Sequence, residues 1–135
     1  MDNCLFCKIV AKEFASTPVY EDDAVYAFLD INPVNPGHTL VVPKIHYSGF
    51  IDADEETLSR LISAMQKVAR AIVVAFGADG FNLEENNGEI AGQLIPHLHF
   101  HVVPRLSDDG LKHWPGKPYA EGEAEVVAEK IREAL

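Results

Sequence analysis

The sequence predicts an α+β fold, a five-stranded antiparallel sheet with one long helix and a C-terminal helix. Three observations predict it. The chain has 135 residues, which is the usual size of one domain, so we expect a single domain over residues 1–135. Short segments rich in β-branched and aromatic residues predict strands. The long helical pattern occurs once, between strands, instead of alternating with them, which favours an antiparallel sheet over a βαβ fold.

Each predicted strand is short and bounded by turn-forming residues. Asp22 and Asp23 form the turn between the first two strands. Two prolines and a glycine make residues 32–37 a loop, because proline has no amide hydrogen to donate within a central strand. The predicted strands are residues 18–21, 24–30, 38–43, 81–86 and 97–104.

The long helix is predicted at residues 52–76, where apolar residues recur at spacings of three and four. Asp52 and Glu55 stand at the spacing of a capping box, which predicts the start of the helix. Gly77 predicts its end, because glycine readily adopts the left-handed conformation. A terminal helix is predicted at residues 121–135, after an irregular segment.

Composition and charge limit the classes of function. With 11 basic and 21 acidic residues the net charge is −10, so a broad nucleic-acid surface is not expected. The longest apolar run, residues 71–76, is far shorter than the roughly 20 residues of a membrane span. The first residues lack the basic and apolar regions of a signal peptide. We therefore expect a cytoplasmic protein whose two cysteines are reduced.

The strongest chemical signal is the alternation His97-Leu98-His99-Phe100-His101. Alternate side chains of a strand share one face of the sheet. The three histidines should therefore line one face, while the apolar residues between them face the core.

Three interpretations of the histidine row are open from the residues alone. It could be an inert polar face, or a metal site that uses all three imidazoles. It could also serve nucleophilic catalysis, in which a neutral imidazole attacks a phosphorus or acyl centre and its neighbours donate hydrogen bonds to the developing charge. Histidine suits this role because its ordinary pKa of about 6.5 leaves the neutral form abundant at pH 7.

The second signal is the pair of cysteines in Cys4-Leu5-Phe6-Cys7. Such a pair is typical of a redox site, of a zinc site or of two reduced, packed thiols. A thioredoxin-like redox site would follow a strand, and no strand is predicted before Cys4. A closed zinc site would need two further ligands from elsewhere in the chain.

The sequence resembles the histidine-triad (HIT) nucleotide hydrolases and transferases over residues 4–105. The run His-apolar-His-apolar-His-apolar-apolar at residues 97–103 matches that family's signature. Further matches to its nucleotide-binding half and its phosphate loop lie at residues 28–33, 36–38, 42–44, 86–88 and 92–93.

The resemblance implies a reaction and a set of catalytic residues. His99 would attack the α-phosphate of a nucleotide, forming a nucleotidyl-histidine intermediate that water then hydrolyses. His101 would bond a non-bridging oxygen or the leaving group, and His38 would approach from the neighbouring strand. Nucleophile activation requires that the other ring nitrogen of His99 faces a hydrogen-bond acceptor.

The same resemblance implies the residues that bind the nucleotide. Asp30 would accept hydrogen bonds from the ribose hydroxyls. Asn86 and Gln93, together with His101, would contact the phosphate or orient the leaving group. One departure concerns Leu94, because the phosphoramidase branch commonly has a serine directly after this glutamine.

The resemblance also implies a structural zinc ion and a homodimer. Many bacterial and archaeal members carry the cysteine pair with a histidine shortly after the Pro-Lys dipeptide. The dimer would form through the long helix and the sheet edges. The implied zinc ligands are Cys4, Cys7, His46 and His97.

The expected activity is hydrolysis of the α-phosphate bond of a purine nucleotide conjugate, an adenosine phosphoramidate or an adenylylated amine. Alternatives are a diadenosine polyphosphate hydrolase, a non-catalytic nucleotide-binding protein and a nucleotidyl transferase. The single tryptophan, Trp114, could cover the nucleotide site of its own or of a partner subunit, or pack under the terminal helix.

Overall fold

The computed structural model describes residues 3–135; the first two residues of the predicted domain lie outside the described range. Within that range the predicted fold class is confirmed. A 3-10 turn at Glu89–Ala91 separates the last two strands. The helices and strands follow in the order α1 (Leu5–Val10), β1 (Pro18–Glu21), β2 (Val25–Leu29), β3 (Thr39–Pro43), α2 (Glu55–Phe76), β4 (Gly80–Glu85), β5 (Phe100–Arg105) and α3 (Glu123–Ala134).

The five strands form one antiparallel sheet in the order β1-β2-β3-β5-β4. Helix α2 packs its apolar stripe on one face, and α1 lies on the other, where the histidines are. The core on the α2 side includes Val25, Val41, Leu61, Met65, Leu98 and Val102. The smaller core on the α1 side includes Phe6, Ile9, Tyr26, Phe28 and Leu40.

Helix α2 begins two to three residues later than predicted. Its N-cap is Asp54, whose side chain accepts a hydrogen bond from the Thr57 amide at 2.8 Å. The capping box predicted at Asp52 is therefore wrong, because spacing alone does not distinguish neighbouring acidic residues. The predicted end is correct, and Gly77 has a φ of 58°.

Helix α1 was not predicted. Six residues are too few to show helical periodicity, and an isolated helix of that length is not stable in water. Its start is marked by Cys4, whose sulfur accepts a hydrogen bond from the Cys7 amide at 3.5 Å. Burial of Phe6 and Ile9 against the sheet attaches α1 to the rest of the chain.

The last strand begins at Phe100 and not at residue 97 as predicted. The preceding residues are held outside the ladder, because the Leu98 amide donates to the carbonyl of Tyr47 at 2.7 Å. The alternation of faces nevertheless holds. Leu98 and Phe100 lie in the core under α2, whereas His97 and His99 contact Phe6 on the opposite face.

The C-terminal segment after β5 is largely exposed, and α3 has no buried residue. Trp114 is 87% exposed, so it does not pack under the terminal helix of its own chain. Within residues 3–135, no helix is both long and apolar enough to cross a membrane.

Candidate active site and adjoining metal-ligand cluster

A cleft of about 300 Å³ opens on the sheet face opposite α2. Helix α1 and the start of the loop after β2 form two of its walls, and the loop between β4 and β5 forms a third. His101 of the last strand and His99, directly before it, also line the cleft. Its lining includes Phe6, Asp30, Asn86, Leu94, His99 and His101.

His99 is 6% exposed and its ring borders the cleft. Its Nδ1 lies 2.7 Å from the carbonyl oxygen of His97. A carbonyl oxygen only accepts, so Nδ1 carries the proton and Nε2 of the neutral ring keeps its lone pair. Burial lowers the pKa of His99, which keeps this nucleophilic form populated at pH 7.

His38 and His101 form a hydrogen-bonded pair, and the partners of their ring nitrogens fix the proton positions. The Val34 amide donates to His38 Nδ1 at 3.1 Å, so the His38 proton is on Nε2. That proton is donated to His101 Nδ1 at 2.9 Å. The proton of neutral His101 is therefore on Nε2, which makes His101 a hydrogen-bond donor. Burial lowers the pKa of both rings.

The loop before β3 is anchored, and this fixes His38. The side-chain amide of Asn35 donates to the Pro104 carbonyl at 2.9 Å and to Asp109 at 3.1 Å. The backbone carbonyl of Asn35 accepts from the His38 amide at 3.0 Å. Asp109 is in turn paired with Arg105 at 2.7 Å, and this cation holds the pKa of its carboxyl well below the ordinary value.

Asp30 lies at the cleft with one oxygen engaged. Its Oδ1 accepts from the Asn32 amide at 2.8 Å, and its Oδ2 lies 3.6 Å from His38 Nε2. Asp30, His38 and His101 bring three possible metal ligands together. However, both ring nitrogens of His38 already have partners, the Val34 amide at Nδ1 and His101 Nδ1 at Nε2, so His38 has no nitrogen left for a metal. A site built from all three triad histidines does not form either, because His97 faces the cysteines.

The two amides expected at the phosphate differ in position. Asn86 lines the cleft. Gln93 instead bridges backbone groups: Oε1 accepts from the Gly88 amide at 3.0 Å, and Nε2 donates to the carbonyls of Ser48 at 2.7 Å and Ile95 at 3.2 Å. In this conformation Gln93 holds the loop in place, and its contact with a nucleotide stays a prediction.

Sequence reasoning missed three contributors to this site. Phe6 packs against the triad, Val34 sets the tautomer of His38, and Asn35 anchors the loop. Only Phe6 had a usable signal. It stands between two cysteines, so a ligand set that joined those cysteines to His97 would place it beside the histidine row.

A metal-ligand cluster adjoins the cleft on the side of α1. One ligand atom from each of four residues lies within 4.8 Å of the others. His97 Nδ1 lies 3.4 Å from the Cys4 sulfur, 3.5 Å from the Cys7 sulfur and 3.2 Å from His46 Nδ1, and the Cys7 sulfur lies 3.4 Å from His46 Nδ1.

These separations fit a tetrahedral zinc site. With Zn–S of about 2.3 Å and Zn–N of about 2.05 Å, sulfur–nitrogen edges are about 3.5 Å and the nitrogen–nitrogen edge is about 3.3 Å. His97 Nε2 donates to the Pro43 carbonyl at 2.9 Å, so its Nδ1 is the unprotonated atom that a metal requires. Burial lowers the pKa of His97 to about 4.

The thiols also favour a cation between them. Burial raises the pKa of the Cys7 thiol, and Cys4 raises it further. Two thiolates side by side, one buried and one partly buried, are unfavourable without a positive charge, and a metal ion supplies that charge. The four residues expected from the sequence are thus brought together with the ligand chemistry of a closed site.

Comparison with known proteins places the chain among histidine-triad sequences. The family model described as HIT domain matches residues 11–108. The chain is 48% identical over 107 residues to an uncharacterized HIT-like protein of Methanocaldococcus jannaschii, covering 79% of this chain and 82% of that protein. It is 35% identical over 131 residues to a protein of Schizosaccharomyces pombe named adenosine 5'-monophosphoramidase, with 96% of each covered.

Solved structures give the same result. A crystal structure of a HIT family member from Bacillus subtilis has a TM-score of 0.92 and 39% identity, covering 98% of this chain and 97% of that one. A crystal structure of a zinc-bound histidine triad family protein from Mycobacterium smegmatis has a TM-score of 0.78 and 34% identity, with 99% of each chain covered.

Proposed function

The chain belongs to the HIT domain family, and from that premise we propose that it hydrolyses the α-phosphate bond of purine nucleotide conjugates. Adenosine phosphoramidates and adenylylated amines are the first candidates, as the name of the S. pombe relative suggests. We treat residues 1–135 as one such domain, with the motifs in residues 4–105 and the terminal segment in 106–135.

The observation that carries the proposal is the orientation of His99. Its Nδ1 proton is committed to the His97 carbonyl, and its Nε2 lone pair belongs to a ring that borders the cleft. An imidazole oriented in this way is a ready nucleophile. Binding a nucleotide without chemistry would not require a buried, oriented imidazole, so this observation disfavours a purely nucleotide-binding protein.

The reaction has two steps. His99 Nε2 forms a bond to the α-phosphorus while the bond from phosphorus to the amine breaks. The amide nitrogen takes up a proton from solvent as that bond breaks and departs as a neutral amine, while the Nε2 proton of His101, oriented by its bond to His38, is donated to a non-bridging phosphoryl oxygen. Water then attacks phosphorus, loses a proton to solvent, and releases AMP as the His99–phosphorus bond breaks.

Nucleotide binding is assigned to the groups around the cleft. The free oxygen of Asp30 accepts from the ribose hydroxyls, and Asn86 donates to the phosphate. The apolar wall of α1 and β2, which includes Phe6 and Phe28, contacts the purine. Gln93 holds the loop between β4 and β5 in place. It contacts the leaving group only after its side-chain hydrogen bonds to the backbone are broken.

A second candidate is hydrolysis of diadenosine polyphosphates. Leu94 favours it, because it is 84% exposed at the cleft and offers no hydroxyl to an amine leaving group. The nucleophile and its first step would be the same, and a nucleotide would depart in place of the amine.

The metal cluster is proposed to hold a structural zinc ion. All four positions are protein ligands, so no open coordination position is left for chemistry. When bound, the ion would join α1 to His97, which directly precedes Leu98 and His99. Zinc-binding thiols must stay reduced, which supports a cytoplasmic location.

A homodimer is proposed through α2 and β4. β4 is an edge strand, and the surface between it and α2 exposes large apolar side chains, including Ile62 (55%), Val74 (84%), Phe81 (43%) and Leu83 (50%). Such a patch on an unpaired edge is typical of an interface with a second copy.

The proposed function is tested by steady-state hydrolysis of adenosine 5'-phosphoramidate. Wild-type protein should release AMP, and His99→Ala should lose at least about 10³-fold in kcat while still binding AMP. The control is His113→Ala, which alters an exposed histidine away from the cleft. If His99→Ala and His113→Ala turn over equally, His99 is not the nucleophile.

A further inference from the structure

Helix α1 belongs to two sites at once. Cys4, its N-cap, and Cys7 face the metal-ligand cluster. Leu5, Phe6 and Ile9 line the cleft assigned to the nucleotide. Both residues between the cysteines line the cleft. A movement of α1 at the metal-ligand cluster therefore also moves the wall of the cleft.

Phe6 contacts both the metal-ligand cluster and the proposed nucleophile. It is 5% exposed. Its ring centroid lies 5.9 Å from that of His97, a cluster residue, and 5.0 Å from that of His99, at an interplanar angle of 85°. It also meets Phe28 edge-on at 5.5 Å. The ring therefore restrains the plane of the nucleophile from the side of the metal cluster.

Little else holds α1 in place. The helix has six residues, and a helix of that length does not form alone. Apart from the cysteines, its contacts with the core come from buried Phe6 and Ile9 and from partly buried Val10. So small a buried area stabilises the docked position of α1 only weakly, so a metal that holds Cys4 and Cys7 should shift α1 further towards that position.

From this arrangement, and resting on the nucleotide-binding function proposed above, we propose that Phe6 is a positioning residue that couples the two sites, so that the metal and the nucleotide bind cooperatively. Both ligands favour the docked position of α1: the metal through Cys4 and Cys7, the nucleotide through the wall formed by Leu5, Phe6 and Ile9. Linkage is reciprocal, so each ligand must strengthen the other by the same factor.

The test measures metal affinity and does not depend on turnover. Full-length protein loaded with Zn²⁺ is titrated with a chromogenic zinc chelator, with and without saturating AMP, and AMP binding is measured separately by calorimetry. AMP is expected to raise the apparent zinc affinity by about 5-fold or more, within the usual range of coupling between sites. The affinity for AMP should rise by the same factor when zinc is bound.

Phe6→Leu tests the role of the ring. It leaves the four metal ligands in place, so the protein should still bind zinc, but the zinc–AMP coupling factor should fall clearly below the wild-type value. A merely structural role would lower the midpoint of thermal unfolding and leave the coupling factor unchanged. The matched control is Phe14→Leu, because Phe14 is 47% exposed beyond α1 and does not line the cleft; it should keep the full coupling.

The outcomes separate this inference from the proposed function. AMP that binds without changing zinc affinity overturns the coupling and leaves the proposed function standing. A coupling factor that is unchanged in Phe6→Leu overturns the assignment to Phe6. Protein that binds no AMP at all contradicts the proposed function and the coupling with it.

Discussion

The proton positions of three histidines follow from the groups that their ring nitrogens face. The carbonyl of His97 places the His99 proton on Nδ1, and the amide of Val34 places the His38 proton on Nε2. These partners are backbone groups brought in by the fold. Spacing in the sequence predicts which histidines are candidates for the site, but it does not indicate which nitrogen of each is free.

The same residues predict how stability depends on pH. Burial lowers the pKa values of His38 and His101 below the ordinary value of about 6.5, although Asp30 and Glu84 partly oppose this. The unfolded chain therefore binds protons that the folded chain excludes. The contribution of His38 and His101 to stability is complete above about pH 6.5 and is lost as the pH falls below that value.

We accordingly expect the midpoint of thermal unfolding to fall between pH 7 and pH 5.5, and to fall less steeply in His38→Asn. His113→Asn, which changes an exposed histidine, should keep the wild-type slope. Equal slopes in wild type and His38→Asn would contradict the account of the buried pair.

At the scale of the elements, the sequence predicts all five strands, the long helix and the terminal helix, with their ends displaced by at most three residues. The misplaced start of the last strand and the missed α1 share a cause. Both segments are held by contacts with distant residues: Leu98 by Tyr47, and Cys4 and Cys7 by the histidines of the cluster. Local periodicity does not report such contacts.

The start of α2 offers a prediction at this scale. The structure assigns the N-cap to Asp54, whereas the capping-box pattern pointed to Asp52. Asp54→Ala should lower the midpoint of thermal unfolding by a few degrees, because the Thr57 amide loses its partner. Asp52→Ala is the matched control and should have little effect, and the reverse order would contradict the observed cap.

At the scale of the whole molecule, the sheet separates the larger core from the candidate active site. The face under α2 holds the larger core, and the opposite face holds the histidines and α1. The alternation of apolar residues and histidines around His99 encodes this division, which is why the site could be located from the sequence. The apolar surface at α2 and β4 could not, because its exposure is a property of the packed chain.

The proposed dimer gives a prediction for that surface. Wild-type protein should have twice the mass of the 14.9 kDa chain in size-exclusion chromatography with light scattering. Leu83→Glu should reduce it to one chain, because the charge would be buried at the interface. Val19→Glu alters β1 at the opposite edge of the sheet and should remain dimeric; a monomeric wild type would contradict the proposal.

Rapid-quench mass spectrometry during turnover of adenosine 5'-phosphoramidate tests directly whether His99 is the nucleophile. The account predicts a transient mass increase of one adenylyl group, mapped by peptide analysis to His99 and missing from His99→Ala. An adduct on another residue, or wild-type turnover by His99→Ala, would contradict it.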